Sequence, residues 1–172
     1  MAIYNAPILK YFFSIIFGLI KMILIVKVKM SAIISALKFR ALIKNAGNSC
    51  SCHYTVEVKY PDNITIGNST RIGPKSTLGG FGGVVIGSNV VISKNVLIES
   101  AGLDFKGKEV PYKHKSKKII IEDKVWIGAN AIILGGVTIG EGTIIGAGAV
   151  VSKDIPRNSI VTQSPFRVFE KE

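Results

Sequence analysis

An aliphatic residue recurs at every sixth position through much of this 172-residue chain. It stands at Ile66, Ile72 and Leu78, at Ile86, Ile92 and Ile98, and at Ile121, Ile127, Ile133, Ile139, Ile145 and Val151. Four places after most of these comes a small or β-branched residue: Thr70, Ser76, Val90, Val96, Val125, Ala131, Val137, Thr143 and Ala149. A helix places residues six apart on opposite sides, and a plain strand alternates without turning, so neither element explains the period. Short strands that turn at every sixth residue do, and the spacing predicts a parallel β-helix. Gly67, Gly73, Gly87, Asn89, Gly128, Asn130, Gly140 and Gly146 fall at the corners, where positive φ is expected of them. Twelve hexapeptides at three per coil predict about four coils, roughly 19 Å tall at ~4.8 Å per stacked strand.

Two interruptions break the count. Gly79 to Gly83, a Gly-Gly-Phe-Gly-Gly run, shifts the register by two residues. Between Ile98 and Ile121 the chain has far more residues than one hexapeptide, so residues 101–118 are expected to leave the coil as a long loop. A solenoid gains no stability from such an excursion, and function is the better reason for it.

Charge is concentrated in two places. The formal net charge is +11. Residues 1–44 carry Lys10, Lys21, Lys27, Lys29, Lys38, Arg40 and Lys44, with no acid before Glu57. The loop holds Lys106, Lys108, Lys113, Lys115, Lys117 and Lys118 against Asp104 and Glu109, and the rest of the chain is balanced. A nucleic-acid-binding face would spread its excess along the repeats, so no nucleic acid is expected as a partner.

From Ile8 to Val26 nearly every residue is apolar. Lys10, Ser14, Gly18 and Lys21 interrupt the run at spacings that put them on one narrow helical stripe. The longest unbroken run, Tyr11 to Ile20, falls short of the ~20 apolar residues of a bilayer span. Residues 6–44 therefore read as one or two helices that lie on an anionic membrane surface or pack on the domain, with a true span as the third and least favoured reading. The boundaries that follow are a helical segment over 1–48, a β-helix over 49–168 containing the loop 101–118, and a tail over 169–172.

Ile119 to Arg167 resembles a known family. Val125-Trp126-Ile127-Gly128-Ala129-Asn130, Gly136-Val137-Thr138-Ile139-Gly140, Ile145-Gly146-Ala147-Gly148 and Val151-Ser152-Lys153-Asp154-Ile155-Pro156 are similar to the hexapeptide-repeat acyltransferases of left-handed β-helix fold. The likeness is greatest to their sugar and capsular-polysaccharide O-acetyltransferase branch. It covers roughly residues 60–168. The resemblance implies a left-handed coil, a homotrimer, acetyl-coenzyme A as co-substrate in the groove between two solenoids, and no metal. It implies a saccharide acceptor, free or lipid-linked, in capsule, exopolysaccharide or lipopolysaccharide synthesis, and a cytoplasmic enzyme, peripheral at the inner face of the membrane. Serine or amino-sugar N-acetyl transfer on the same fold is the alternative, as is a structural β-helix without catalysis. The γ-type carbonic anhydrases share the fold but hold zinc with three histidines, and this chain has two.

Acetyl transfer in the family needs a histidine as general base toward the acceptor hydroxyl and a backbone N–H toward the oxyanion. His114 lies in the long loop just before the coils resume, where the serine acetyltransferase branch keeps its base, and is the expected catalytic residue. His53 precedes the repeats beside Cys50 and Cys52. The galactoside and maltose branch places its base at the position of Leu103 in Ser100-Ala101-Gly102-Leu103-Asp104, so His114 has to stand in for it or the chain is inactive. Asp104, with Glu99 as the other candidate, is expected to orient the imidazole. For the coenzyme the resemblance places Trp126 and Ala129 along the pantetheine arm, Ala147 and Ser152 further up, and Lys153 and Arg167 near the phosphates, where cations make charge-assisted contacts. Trp126 also fits core packing, and Lys153 a solvated corner. The ending Gln163-Ser164-Pro165-Phe166-Arg167 keeps the family's Pro and Arg and lacks its Gly. Cys50 and Cys52 have no second pair and read as ordinary thiols.

Overall fold

A computed structural model describes residues 7–43, 45–104 and 110–162. Arg167, expected at the coenzyme phosphates, and the tail 169–172 lie outside them. The chain divides into two compact units, one up to Ile34 and one from Ser35 onward.

The second unit is a parallel β-solenoid. Its first coil is β1 (Asn45–Ala46), β2 (Ser51–Cys52) and β3 (Glu57–Lys59), and its second is β4 (Ile64–Ile66), β5 (Arg71–Ile72) and β6 (Thr77–Gly79). The third is β7 (Val84–Ile86), β8 (Val91–Ile92) and β9 (Leu97–Glu99). After the hairpin β10 (Ala101–Leu103) and β11 (His114–Ser116), the fourth coil is β12 (Ile119–Ile121), β13 (Trp126–Ile127) and β14 (Ile132–Leu134). The fifth is β15 (Thr138–Ile139), β16 (Ile144–Ile145) and β17 (Val150–Val151), and β18 (Ile160–Val161) with the bridge from Ile155 to Ile139 begins a sixth. The strands stack in three sheets, β1-β4-β7-β12-β15, β2-β5-β8-β13-β16-β18 and β3-β6-β9-β14-β17, which form the first, second and third faces of a prism.

The repeat was thus read correctly in kind and short in number: about six turns replace the expected four. The missed first coil carries Ala46, Cys52 and Val58 at its inward positions, without the Ile-Gly pairs that mark its neighbours, and β1 lies inside the segment read as a helical arm.

Inside the prism the periodic residues form columns. Ile72, Ile92, Ile127 and Ile145 stack in register along the second face and are at most 4% exposed. The residues four places on fill the corners. Among them Thr70, Ser76 and Thr143 are fully buried yet satisfied, because each hydroxyl donates to a neighbouring coil's carbonyl. Thr70 Oγ1, for instance, donates to Gly87 O at 2.8 Å and accepts from Val90 N at 3.2 Å.

The corner glycines act differently from expectation. Positive φ belongs to Ser69, Lys75, Asn89, Asn95, Lys124 and Asn130, three places after the inward residue, and not to Gly67, Gly73, Gly87, Gly128, Gly140 or Gly146. Those glycines are where coils touch: a Cβ on Gly67 would meet the backbone of Gly87 and Ser88 at 2.6 Å. Steric room, rather than backbone freedom, requires them.

One helix, α1 (Pro7–Leu42), occupies the region read as one or two helices. Its final turns belong to the solenoid unit. There Phe39 and Ile43 are buried against the first coil, and Lys38 Nζ donates to Tyr54 O at 2.9 Å and Val56 O at 2.8 Å. Burial pushes the Cys52 thiol up to about 11, with Lys38 opposing the rise, so it stays protonated and unreactive at neutral pH.

Candidate active site

The excursion predicted over 101–118 is a hairpin. β10 and β11 pair antiparallel, Ala101 with Ser116, Gly102 with Lys115 and Leu103 with His114. Asp104 N donates to Lys113 O at 2.9 Å, so the next pair inward, Leu103 with His114, is of the non-hydrogen-bonded kind. In such a pair both side chains leave the same face of the ribbon with Cβ atoms about 4.5–5.5 Å apart. Leu103 and His114 are both exposed.

A glycine-rich corner holds the base of the hairpin. Ser100, 1% exposed, donates through Oγ to Gly79 O at 2.6 Å and accepts from Gly82 N at 2.8 Å, and its carbonyl accepts from Lys117 N at 3.0 Å. Phe81, at the tip of that glycine run, sets its ring 6.4 Å from the His114 ring, edge to face, and 5.2 Å from the ring of Tyr60 one coil earlier. Read along the chain, Gly79 to Gly83 stands out only as a register shift. A phenylalanine held out on four glycines, one coil before the excursion, was the available signal for Phe81. Beside the hairpin opens a cleft of about 440 Å³ lined by Ser100, Leu103, Lys115, Lys117, Leu134 and Gly135, among others.

The other expected residues fall into three groups. Asp104 stands beside His114's strand partner, with its backbone bonded to Lys113. Trp126 is on β13, 55% exposed and pointing out of the second face, which removes the core-packing alternative. Ala129 and Ala147 occupy the corner between the second and third faces in successive coils, joined by Gly148 N donating to Ala129 O at 2.8 Å. Ser152 and Lys153, both exposed, lie at the other edge of the third face, one coil on from Leu134 and Gly135 of the cleft. No one edge of the prism gathers the whole set. His53 sits in the first coil, bonded through Nδ1 to Thr55 Oγ1 at 2.8 Å and stacked near Tyr54, two coils before the hairpin leaves. Among the described residues no three His, Cys, Asp or Glu side chains gather as a metal site.

Two repeat families match this chain: the bacterial transferase hexapeptide (six repeats) over residues 118–153 and the hexapeptide repeat of succinyl-transferase over residues 63–100. The galactoside O-acetyltransferase of Escherichia coli is 32% identical over 140 residues, covering 77% of this chain and 66% of that protein. A maltose O-acetyltransferase from Clostridium difficile superposes with a TM-score of 0.64 at 31% identity, covering 77% of this chain and 72% of the other. The chain belongs to the hexapeptide-repeat acetyltransferases. Another member, from Vibrio cholerae and solved with acetyl coenzyme A, superposes with a TM-score of 0.68 at 28% identity over 76% of this chain and 72% of its own. The chain spans from 43% to 66% of the length of several curated relatives it matches.

Proposed function

We propose that this protein is an acetyl-CoA-dependent O-acetyltransferase acting on a sugar hydroxyl, in capsule, exopolysaccharide or lipopolysaccharide synthesis, with His114 as general base. The Leu103–His114 strand pair carries the reading. The branch that this chain resembles keeps its histidine at the position of Leu103, and the hairpin register supports His114 as its replacement, one cross-strand step away on the same face. Histidine is the side chain most often used as a general base in such transfers.

His114 accepts the proton of the acceptor hydroxyl as that oxygen attacks the thioester carbonyl. The C–S bond then breaks, and the imidazolium returns the proton to the leaving thiolate. Asp104 is proposed to orient the ring. For the coenzyme, Trp126 offers an exposed flat surface, Ala129 and Ala147 leave room against the coil backbone, and Ser152, Lys153 and Arg167 serve its polar end. Because Ala129 and Ala147 fall at one edge of the prism and Ser152 and Lys153 at another, a trimer in which neighbouring solenoids each present one edge would make one site per chain pair.

The test uses the full chain with labelled acetyl-coenzyme A and a panel of free and lipid-linked saccharides, amino sugars and serine. His114→Ala is expected to lower turnover by about 10²–10⁴ with coenzyme binding and thermal midpoint unchanged. Full activity in that variant removes His114 as the base. Failure of the unaltered protein to bind the coenzyme favours a structural solenoid, and transfer to an amine alone favours the N-acetyl alternative.

A further inference from the structure

The described residues of the first unit are helical, with an apolar surface round most of the circumference. Of the large apolar side chains from Tyr11 to Val28, all but Ile16 are between 44% and 74% exposed. Met22, Ile23, Leu24, Ile25 and Val26 are consecutive and all exposed, and five consecutive helical residues point to every side. The polar stripe of Lys10, Ser14, Gly18 and Lys21 covers only about a quarter of the circumference, at 3.6 residues per turn. A helix lying in the headgroup plane needs a broad polar face toward water. This one would leave phenylalanines and isoleucines there.

Its length fits a different solvent. An 18-residue window within Lys10–Leu42 has a mean hydropathy of 2.1, and none of it is buried. Eighteen helical residues rise about 27 Å, close to the ~30 Å hydrocarbon layer. The continuity of the helix matters, since counting unbroken apolar runs in sequence made the segment look too short. Lys21 interrupts the run but sits less than two turns from Lys27, and its four-carbon stem lets the ammonium reach toward the same headgroups. Against Lys21 and the terminal Lys27 stand a dozen Phe, Ile, Leu and Val residues from Phe12 to Val28, each favourable to insertion.

We infer that residues 11–28 of α1 cross a lipid bilayer and anchor this protein as an integral component rather than a surface-bound one. The flanking charge sets the orientation. Lys29, Lys38, Arg40 and Lys44 follow the window and Lys27 stands one residue inside its end, with no acid among them, against Lys10 at its other border. Basic flanks stay on the cytoplasmic side and meet its anionic lipids, which puts the solenoid on that side.

The experiment fractionates cells expressing the full chain and washes the membranes with high salt and then with alkaline carbonate. The expected result is a full-length chain that survives both washes and comes away only in detergent. Leu19→Glu with Ile23→Glu, in the middle of the window, should move the protein to the soluble fraction with coenzyme-A binding retained. Lys27→Gln with Lys29→Gln should leave carbonate resistance intact. Release by salt alone means electrostatic attachment to the surface and overturns the span. A soluble, self-associated chain overturns it in favour of helices covering one another, and a chain shortened at its N-terminus in favour of a removed leader. Protease added to right-side-out vesicles should leave the solenoid uncut until they are opened, and cutting in sealed vesicles overturns the orientation.

Discussion

The coil interior and the β10–β11 hairpin are built on opposite principles. Inside the coils every periodic residue from Ile66 to Val151 is buried, and each has an equivalent in a neighbouring coil. In the hairpin the three residues of β11 are all exposed, and none has an equivalent elsewhere. Repetition makes the solenoid a sum of similar neighbouring interfaces. The excursion contributes little to that sum, which leaves its residues free to be chosen for chemistry. Stability and function are therefore separable along the sequence, and substitutions should sort accordingly.

The largest effect should come from moving the base across the ribbon. His114→Ala is expected to cost about 10²–10⁴ in turnover, and adding Leu103→His to that variant should recover about a tenth or more of it, since the two positions share a face. Equal inactivity of both variants, measured with coenzyme binding intact, would break the equivalence of the pair. Next comes a contrast within β13. Ile127→Ala removes a fully buried column residue and should cost about 2–5 kcal/mol in denaturant unfolding. Its neighbour Trp126→Ala should change stability by no more than about 0.5 kcal/mol while raising the KM for acetyl-coenzyme A. Thr70→Val is expected to cost about 1–3 kcal/mol, because the bonds to Gly87 O and Val90 N lose their partner in a dry corner.

The smallest effect belongs to the surface. Glu141 bridges coils through Lys124 Nζ at 2.7 Å and Arg157 at 2.8 Å, and the hydrogen bond from Lys124 holds its carboxyl below the usual 4.5. A depressed carboxylate contributes stability that is whole above that ordinary value and fades as pH falls through the lower folded one. Thermal midpoints should show Glu141→Gln slightly destabilised at pH 7 and indistinguishable from the parent in strong acid. Screening by solvent keeps the difference small.

How much of this the sequence disclosed follows from the same division. The columns were legible because each coil repeats the test of every position. The first coil was missed since Ala46, Cys52 and Val58 lack isoleucine, yet they stand six apart, and Val58 to Ile66 makes the same eight-residue step as Leu78 to Ile86. Extending the period backwards would have found it. The hairpin had no such redundancy. Its length marked a functional loop, but the register that sets His114 opposite Leu103 depends on backbone pairing that single-sequence spacing does not encode. Trp126 facing outward was open for the same kind of reason, as both faces of a two-residue strand accept a large apolar side chain.

A stack of parallel strands has raw ends, and each end offers unsatisfied N–H and C=O groups to any strand that arrives. At the first coil that offer is withdrawn. Phe39 and Ile43 lie over the column, and the Lys38 ammonium occupies the carbonyls of Tyr54 and Val56, placing a positive charge where an incoming backbone would dock. The last turns of α1 thus guard against end-to-end polymerisation into fibres, the failure to which a self-templating fold is most exposed.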